Sequence, residues 1–131
     1  MFVLDTNAVV HYFKGRGGVA ERLLSMPPGD VALPSVVVFE LLVGVLKSDD
    51  IGKRREQLEL FLASVATLPF GHAEAAAAAA VRTELEARGL PIGPFDVLIA
   101  GTALAHHATL VTRNTREFGR VGGLMVENWY E

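Results

Sequence analysis

The chain has 131 residues, half of them hydrophobic and 21% charged, and carries a formal net charge of −3. This composition argues against disorder, and the small negative charge argues against a protein that holds nucleic acid by bulk positive charge alone. The lack of cysteine excludes disulfides, thiolate zinc sites and cysteine nucleophiles. Because no signal peptide or membrane-spanning stretch is evident, we expect a cytoplasmic protein with one domain over residues 1–131.

Apolar runs and helical spacings alternate along the chain and predict strands and helices in turn. The predicted strands cover residues 2–4, 30–33, 66–70, 109–112 and 124–127. The predicted helices cover residues 8–14, 19–26, 36–47, 53–64, 72–88 and 95–107, with a helical turn at 115–118 and Ser35 as the cap of the third helix. This alternation predicts an α/β fold with three layers, in which a mostly parallel central sheet has helices on both faces.

Polar side chains stand where the first predicted strand ends. Asp5, Thr6 and Asn7 follow the apolar residues 2–4 directly. In open α/β sheets, ligands bind at the carboxyl edge of the strands, so Asp5 is expected to face a cleft. Taken alone, Asp5 is better explained as the cap of the following helix.

Two further acids stand in otherwise apolar predicted helices. Glu40 lies between the apolar residues 36–39 and 41–43, and Asp96 is the one charge between Arg88 and Arg113. Burying an ionised carboxylate is costly unless a charge or a metal ion meets it. The simpler alternatives are an arginine partner for Glu40 and a favourable helix dipole for Asp96.

Asp5, Glu40 and Asp96 would repel one another if they met in one cleft. A cation among them would relieve this repulsion, and oxygen ligands without His or Cys favour Mg²⁺ or Mn²⁺ over zinc. Such a site suits phosphodiester hydrolysis, because the metal can activate a water and neutralise charge on the phosphate.

Several motifs of the chain occur together in one known family. They are Leu4-Asp5-Thr6-Asn7, the helical Glu40, residues 94–100, residues 109–118 and Val126-Glu127-Asn128-Trp129. In this order and spacing, the chain resembles the PIN-domain ribonucleases, and more closely the VapC toxins of bacterial toxin–antitoxin pairs. The resemblance covers essentially the whole sequence.

The resemblance implies a PIN fold and a Mg²⁺-dependent endoribonuclease, with Mn²⁺ as a possible substitute and tRNA as a candidate substrate. Asp5, Glu40 and Asp96 would be the catalytic, metal-binding acids. The fourth metal position of the family, often Asp, is Asn114 here, so the site has one formal charge fewer. Glu117 could supply the missing carboxylate, although we expect it to face solvent.

The resemblance also implies supporting residues and partners. Thr6, Asn7 and Thr112 would orient the ligands, and Arg113 and Arg116 would contact RNA beside the site. Family members usually form homodimers and are neutralised by a small VapB-like antitoxin, in hetero-tetramers or hetero-octamers. The antitoxin often reaches the acidic site with a basic side chain.

Three other functions are weighed against this one. A non-catalytic PIN module that binds RNA or protein would be expected to have lost its acids, yet three of the four positions keep them. A haloacid-type phosphatase needs a second acid two residues after Asp5, where Asn7 stands. A P-loop nucleotidase is excluded because no glycine-rich loop followed by Lys-Ser or Lys-Thr is present.

Overall fold

A computed structural model describes residues 1–15 and 17–130 of the chain. Its strands are β1 (Phe2–Leu4), β2 (Val31–Pro34), β3 (Ala66–Leu68), β4 (Thr109–Val111) and β5 (Met125–Glu127). Its helices are α1 (Thr6–Phe13), α2 (Gly17–Ser25), α3 (Ser35–Leu46), α4 (Ile51–Ser64), α5 (His72–Ala87), α6 (Pro94–Ala105) and α7 (Thr115–Phe118). A 3₁₀ turn, Pro28–Asp30, precedes β2.

The five strands form one parallel sheet in the order β3-β2-β1-β4-β5. β1 pairs with β2 on one side and with β4 on the other, where Leu4 lies opposite Val111. The connections therefore run outward from β1 in opposite directions, and ligands of open α/β sheets bind at such a reversal. The predicted α/β fold with a parallel central sheet is confirmed, and the residues that follow β1 and β4 share one edge of it.

Local caps set several helix boundaries differently from the prediction. Asp5 caps α1, so this helix begins at Thr6. Ser35 is the first residue of α3 rather than its cap, because the preceding Pro34 takes the cap position without a side-chain hydrogen bond. Asp50 caps α4, which therefore begins at Ile51.

Close packing of α5 against α6 fixes the helix that carries Asp96. A Cβ on Gly101 would lie 2.6 Å from the backbone nitrogen of Ala78, so only glycine fits at this crossing. The buried Glu74 of α5 accepts a hydrogen bond from the Gly71 backbone at 2.7 Å, and its other oxygen lies 2.9 Å from His106 Nε2. The contacts at Glu74 and Ala78 hold the first half of the alanine-rich helix against α6.

No helix in the described part of the chain has the length and apolar character that a membrane crossing requires.

Candidate metal centre

Asp5 lies at the carboxyl end of β1 and is only 7% exposed. One carboxylate oxygen accepts a hydrogen bond from the Ala8 backbone at 2.9 Å, and the other accepts one from the Thr112 hydroxyl at 2.6 Å. Burial raises the pKa of Asp5, these two hydrogen bonds lower it, and the charge of Glu40 raises it further. Asp5 is therefore both the cap of α1 and a member of an acidic cluster, so the two sequence-based alternatives hold together.

Glu40 is half-buried on α3, one turn beyond the end of β2. It accepts a hydrogen bond from the Thr6 hydroxyl at 2.6 Å, which links the start of α1 to α3. The ion pairs among the described residues involve other acids, and no described arginine pairs with Glu40.

Asp96 is half-buried in the first turn of α6, directly after the Pro94 that begins this helix. Burial is the largest cause that raises the pKa of Asp96 to about 6, followed by the charges of Glu117, Asp5 and Glu40. No hydrogen bond from a described residue offsets these effects. Asp96 is thus a carboxylate that other acids surround and that no described cation neutralises.

The loop after β4 brings the fourth acid to the cluster. Asn114 caps α7: its side-chain oxygen accepts from the Glu117 backbone at 3.4 Å, and its amide nitrogen donates to the Glu117 carboxylate at 2.9 Å. The Asn114 backbone donates to the Thr112 hydroxyl at 2.9 Å, which in turn donates to Asp5. Glu117 is half-buried, its hydrogen bonds with Asn114 are exposed to solvent, and its charge is the strongest of those that act on Asp96, so it borders both solvent and the acids.

The donor set fits a hard divalent cation. Asp5, Glu40, Asp96 and Glu117 offer only oxygen ligands, and none of them forms an ion pair within the described residues. Within these same residues, no three acidic or histidine side chains already converge closely enough to hold an ion. The other carboxylates thus lie near enough to raise the pKa of Asp96 but stay apart, as mutual repulsion requires.

The remaining predicted residues lie on the rim of the site. Asn7, Arg113 and Arg116 are exposed, and the Arg113 guanidinium lies 5.3 Å from the centre of the Tyr130 ring. Thr112 is fully buried, as a group that orients Asp5 should be. Sequence reasoning missed Tyr130, which lines a cavity with Asp5; its only signal was its place beside the motif that ends in Trp129.

Comparisons with known proteins identify the family of this chain. A family profile of the PIN domain matches residues 2–124. The chain is 36% identical over 128 residues to the tRNA(fMet)-specific endonuclease VapC of Shigella flexneri, covering 98% of this chain and 97% of that protein. It is also 36% identical over 131 residues to ribonuclease VapC2 of Rickettsia felis, covering 98% of each.

Solved structures extend the similarity to the whole fold. The structure of VapBC2 from Rickettsia felis, bound to a DNA fragment from its promoter, matches with a TM-score of 0.90 and 36% identity over 98% of both chains. DNA-bound VapBC from Salmonella typhimurium matches with a TM-score of 0.90 and 30% identity over 98% of this chain and 97% of that one. This chain therefore belongs to the PIN-domain family and, within it, to the VapC endoribonucleases.

Proposed function

We propose that this endoribonuclease is a Mg²⁺-dependent toxin that cleaves tRNA and is neutralised by a cognate antitoxin. The observation that carries the proposal is Asp96, whose carboxylate lies among Asp5, Glu40 and Glu117 with no described cation to neutralise it. The relative from Shigella flexneri, named for its action on tRNA(fMet), makes that tRNA the first substrate to assay.

Asp5, Glu40 and Asp96 would hold the metal ion, with Mn²⁺ as a possible substitute for Mg²⁺. A divalent ion bound there supplies Lewis-acid chemistry, which activates a water and neutralises charge on the scissile phosphate. The Thr112 and Thr6 hydroxyls fix the orientations of Asp5 and Glu40 through hydrogen bonds of 2.6 Å. Such supporting hydrogen bonds typically change metal affinity or activity by about 10- to 100-fold.

Asn114 remains a predicted ligand through its side-chain oxygen. That oxygen accepts a hydrogen bond from the Glu117 backbone and keeps a second lone pair with which it could hold a metal ion. The Asn114 amide also holds the Glu117 carboxylate in place. Glu117 therefore supplies the fourth negative charge that Asn114 lacks.

Cleavage of tRNA by the purified protein tests the proposal. We expect tRNA(fMet) to be cut at a defined position in Mg²⁺ or Mn²⁺ and to stay intact in EDTA, with the new RNA ends located by sequencing. An Asp96→Asn variant purified in parallel controls for contaminating nucleases. Cleavage that continues in EDTA would reject the metal, and equal cleavage of unrelated RNAs would reject the tRNA substrate.

An apolar groove beside the acidic cluster supports the antitoxin partner. The groove has a volume of about 360 Å³, and its walls include Phe13, Val45 and Leu58. Thr6 and Glu40 also line it, so the groove reaches one acid of the cluster, and Lys14 and Arg54 lie on its walls as well. An antitoxin segment could fill the groove with its apolar side chains and neutralise Glu40 with one basic side chain.

Homodimer formation stays a prediction, to be checked by light scattering.

Filling this groove is expected to weaken the antitoxin complex. Gly44 lines the groove, and a Cβ added there meets no atom within 4 Å, so Gly44→Phe can be built without strain in α3. We expect this variant to bind the antitoxin at least about tenfold more weakly, a loss of ~1.4 kcal/mol, in isothermal titration calorimetry.

Gly52→Phe is the matched control for this experiment. Gly52 is likewise an exposed helical glycine with open space around its Cβ, and it lies outside the groove. If both variants lost affinity equally, or if neither variant lost affinity, the antitoxin would bind elsewhere.

A further inference from the structure

A second cavity, of about 350 Å³, is lined by Asp5 and shares Lys14 with the apolar groove. Its walls come from the end of α1, the loop after β4 and the C-terminal segment, and they include His11, Lys14, Arg113 and Tyr130. Asp5 is the one acid of this wall within the described residues. The cavity therefore adjoins the acidic cluster but differs from it in charge.

Cationic groups dominate the cavity. Lys14 and Arg113 are both exposed and form no ion pair within the part of the chain that the structure describes. His11 adds a third positive charge when it is protonated. An anion that meets this wall thus gains attraction from at least two side chains that no described carboxylate neutralises.

The ring of Tyr130 holds two of these groups in place. The ring centroids of His11 and Tyr130 are 4.6 Å apart, and the Arg113 guanidinium lies 5.3 Å from the Tyr130 ring centre. The Tyr130 hydroxyl is buried and has no hydrogen-bond partner among the described residues, so the ring, not the hydroxyl, makes its contacts. Tyr130 is a positioning residue for Arg113, because cation–π contact restricts where the guanidinium points.

We propose that this cavity binds the RNA backbone phosphate next to the one that is cleaved. The inference rests on the proposed function and names how the same site holds its substrate. A strand whose scissile phosphate meets the acidic cluster must pass one of the adjoining walls, and this wall carries positive charge. Arginine matches a phosphate with two parallel hydrogen bonds, and lysine adds a point charge. Contacts of this kind position RNA without reading its sequence.

Binding of a fluorescein-labelled, 20-nucleotide single-stranded RNA in EDTA tests the proposal without cleavage. We expect Lys14→Ala and Arg113→Ala each to weaken binding by about three- to tenfold. Each should also reduce the slope of log K against log salt by about 0.7 to 1, the value for one lost phosphate contact. In Mg²⁺, we expect the loss in Lys14→Ala to fall on KM rather than on kcat.

The chain offers matched controls for both variants. Lys47 follows α3 as Lys14 follows α1, each at the C-cap of its helix, so Lys47→Ala removes the same charge from the same local setting. Arg22 lies 5.0 Å from the Trp129 ring centre and pairs with Glu127 at 3.5 Å, so Arg22→Ala removes a cation–π contact and an ion pair outside the cavity. We expect both controls to change the Kd by less than about twofold.

The Tyr130 variants separate positioning from simple loss of structure. Tyr130→Phe keeps the ring and removes only the unpartnered hydroxyl, so it should bind RNA like the wild type. Tyr130→Ala should bind as weakly as Arg113→Ala, and combining the two changes should add little.

Two outcomes overturn the inference in distinguishable ways. If the wild type cleaves tRNA but Lys14→Ala and Arg113→Ala match their controls in Kd and salt slope, the cavity does not bind the phosphate and the proposed function stands. If the wild type neither binds nor cleaves RNA, the phosphate-binding inference and the proposed function are both wrong.

Discussion

Asp96→Asn is expected to lower kcat for RNA cleavage by about a hundred- to a thousandfold while the protein folds normally. Asparagine keeps the size of the side chain and one oxygen but removes the charge that would hold the metal. The matched control is Asp49→Asn, which removes the same charge from an exposed residue between α3 and α4. Comparable loss of cleavage in both variants would contradict a specific role for Asp96.

The same variant is expected to be more stable than the wild type when no metal is present. The pKa of Asp96 is raised from 3.8 to about 6, first by burial and then by the charges of Glu117, Asp5 and Glu40. At pH 7.5 the carboxylate is ionised in the folded and unfolded states alike. Only the folded state bears the free-energy cost of a charge that is half-buried and close to other acids. Allowing for solvent screening of a half-exposed group, Asn should gain on the order of 1 kcal/mol.

The direction of the Asp96 pKa shift determines the pH range over which the two proteins differ in stability. Because the folded state holds the proton more tightly, the wild type loses stability relative to Asp96→Asn as the pH rises from 3.8 to about 6. The difference should therefore vanish near pH 4 and be complete above pH 7. Thermal melts of both proteins in EDTA from pH 4 to 8 measure it, with an expected difference of about 2 to 5 °C at pH 7.5.

Magnesium should reverse the order of stability. An ion that binds only the folded wild type raises its melting temperature by mass action, and it should do little for Asp96→Asn. A variant that is less stable than the wild type in EDTA at pH 7.5 would instead mean that the Asp96 carboxylate is already neutralised in the folded protein.

Asp5 is a less suitable position for this test. Its carboxylate caps α1 and accepts the hydrogen bond of the buried Thr112 hydroxyl. Loss of a helix cap alone costs about 1 to 2 kcal/mol, and the Thr112 hydroxyl would also lose its acceptor. In Asp5→Ala, lost activity and lost stability would therefore be hard to separate.

Gly101→Ala is expected to destabilise the protein by about 1 to 3 kcal/mol. The added Cβ would lie 2.6 Å from the nitrogen, Cα and Cβ of Ala78, so α5 and α6 must move apart. The intrinsic preference of alanine for helix opposes this with only about 1 kcal/mol, so the clash decides the sign. Since α6 carries Asp96, cleavage should fall as well. Urea unfolding of the purified variant measures the change in free energy.

Gly44→Ala shows what the same substitution does without a clash. A Cβ at Gly44 meets nothing within 4 Å, so this change should stabilise the protein by about 0.5 to 1 kcal/mol. If Gly101→Ala proved equally stabilising, the close approach of α5 and α6 would not be required for the fold.

Local features that can be read from sequence accounted for most of the fold. The apolar residues 2–4 predicted β1, and the alanine run predicted the helix that the structure has at His72–Ala87. Both patterns express backbone preference and burial within a few consecutive residues, so they need no knowledge of distant partners. The wrong cap assignment at Ser35 arose because a proline took the cap position instead.

The acids of the cluster were also predictable, since Asp5 ends a strand and Glu40 and Asp96 interrupt apolar helices. What these acids contact was not. The Thr112 hydroxyl donates to Asp5 across 107 residues of sequence, and the Thr6 hydroxyl reaches Glu40 across 34. His106, at the C-cap of α6, lies against the buried Glu74 of another helix, 32 residues away in sequence.

The sequence by itself thus determined the order of strands and helices and the acids that end them, because these depend on neighbours along the chain. Only the tertiary structure decided that Glu117 joins the acids and that Tyr130 holds Arg113 beside Asp5. Glu117, Tyr130 and Arg113 are polar or partly exposed side chains, and from sequence alone they could equally well lie on an ordinary solvated surface. Their place is set by how the loop after β4 and the C-terminal segment pack against α1, and no local pattern encodes that packing.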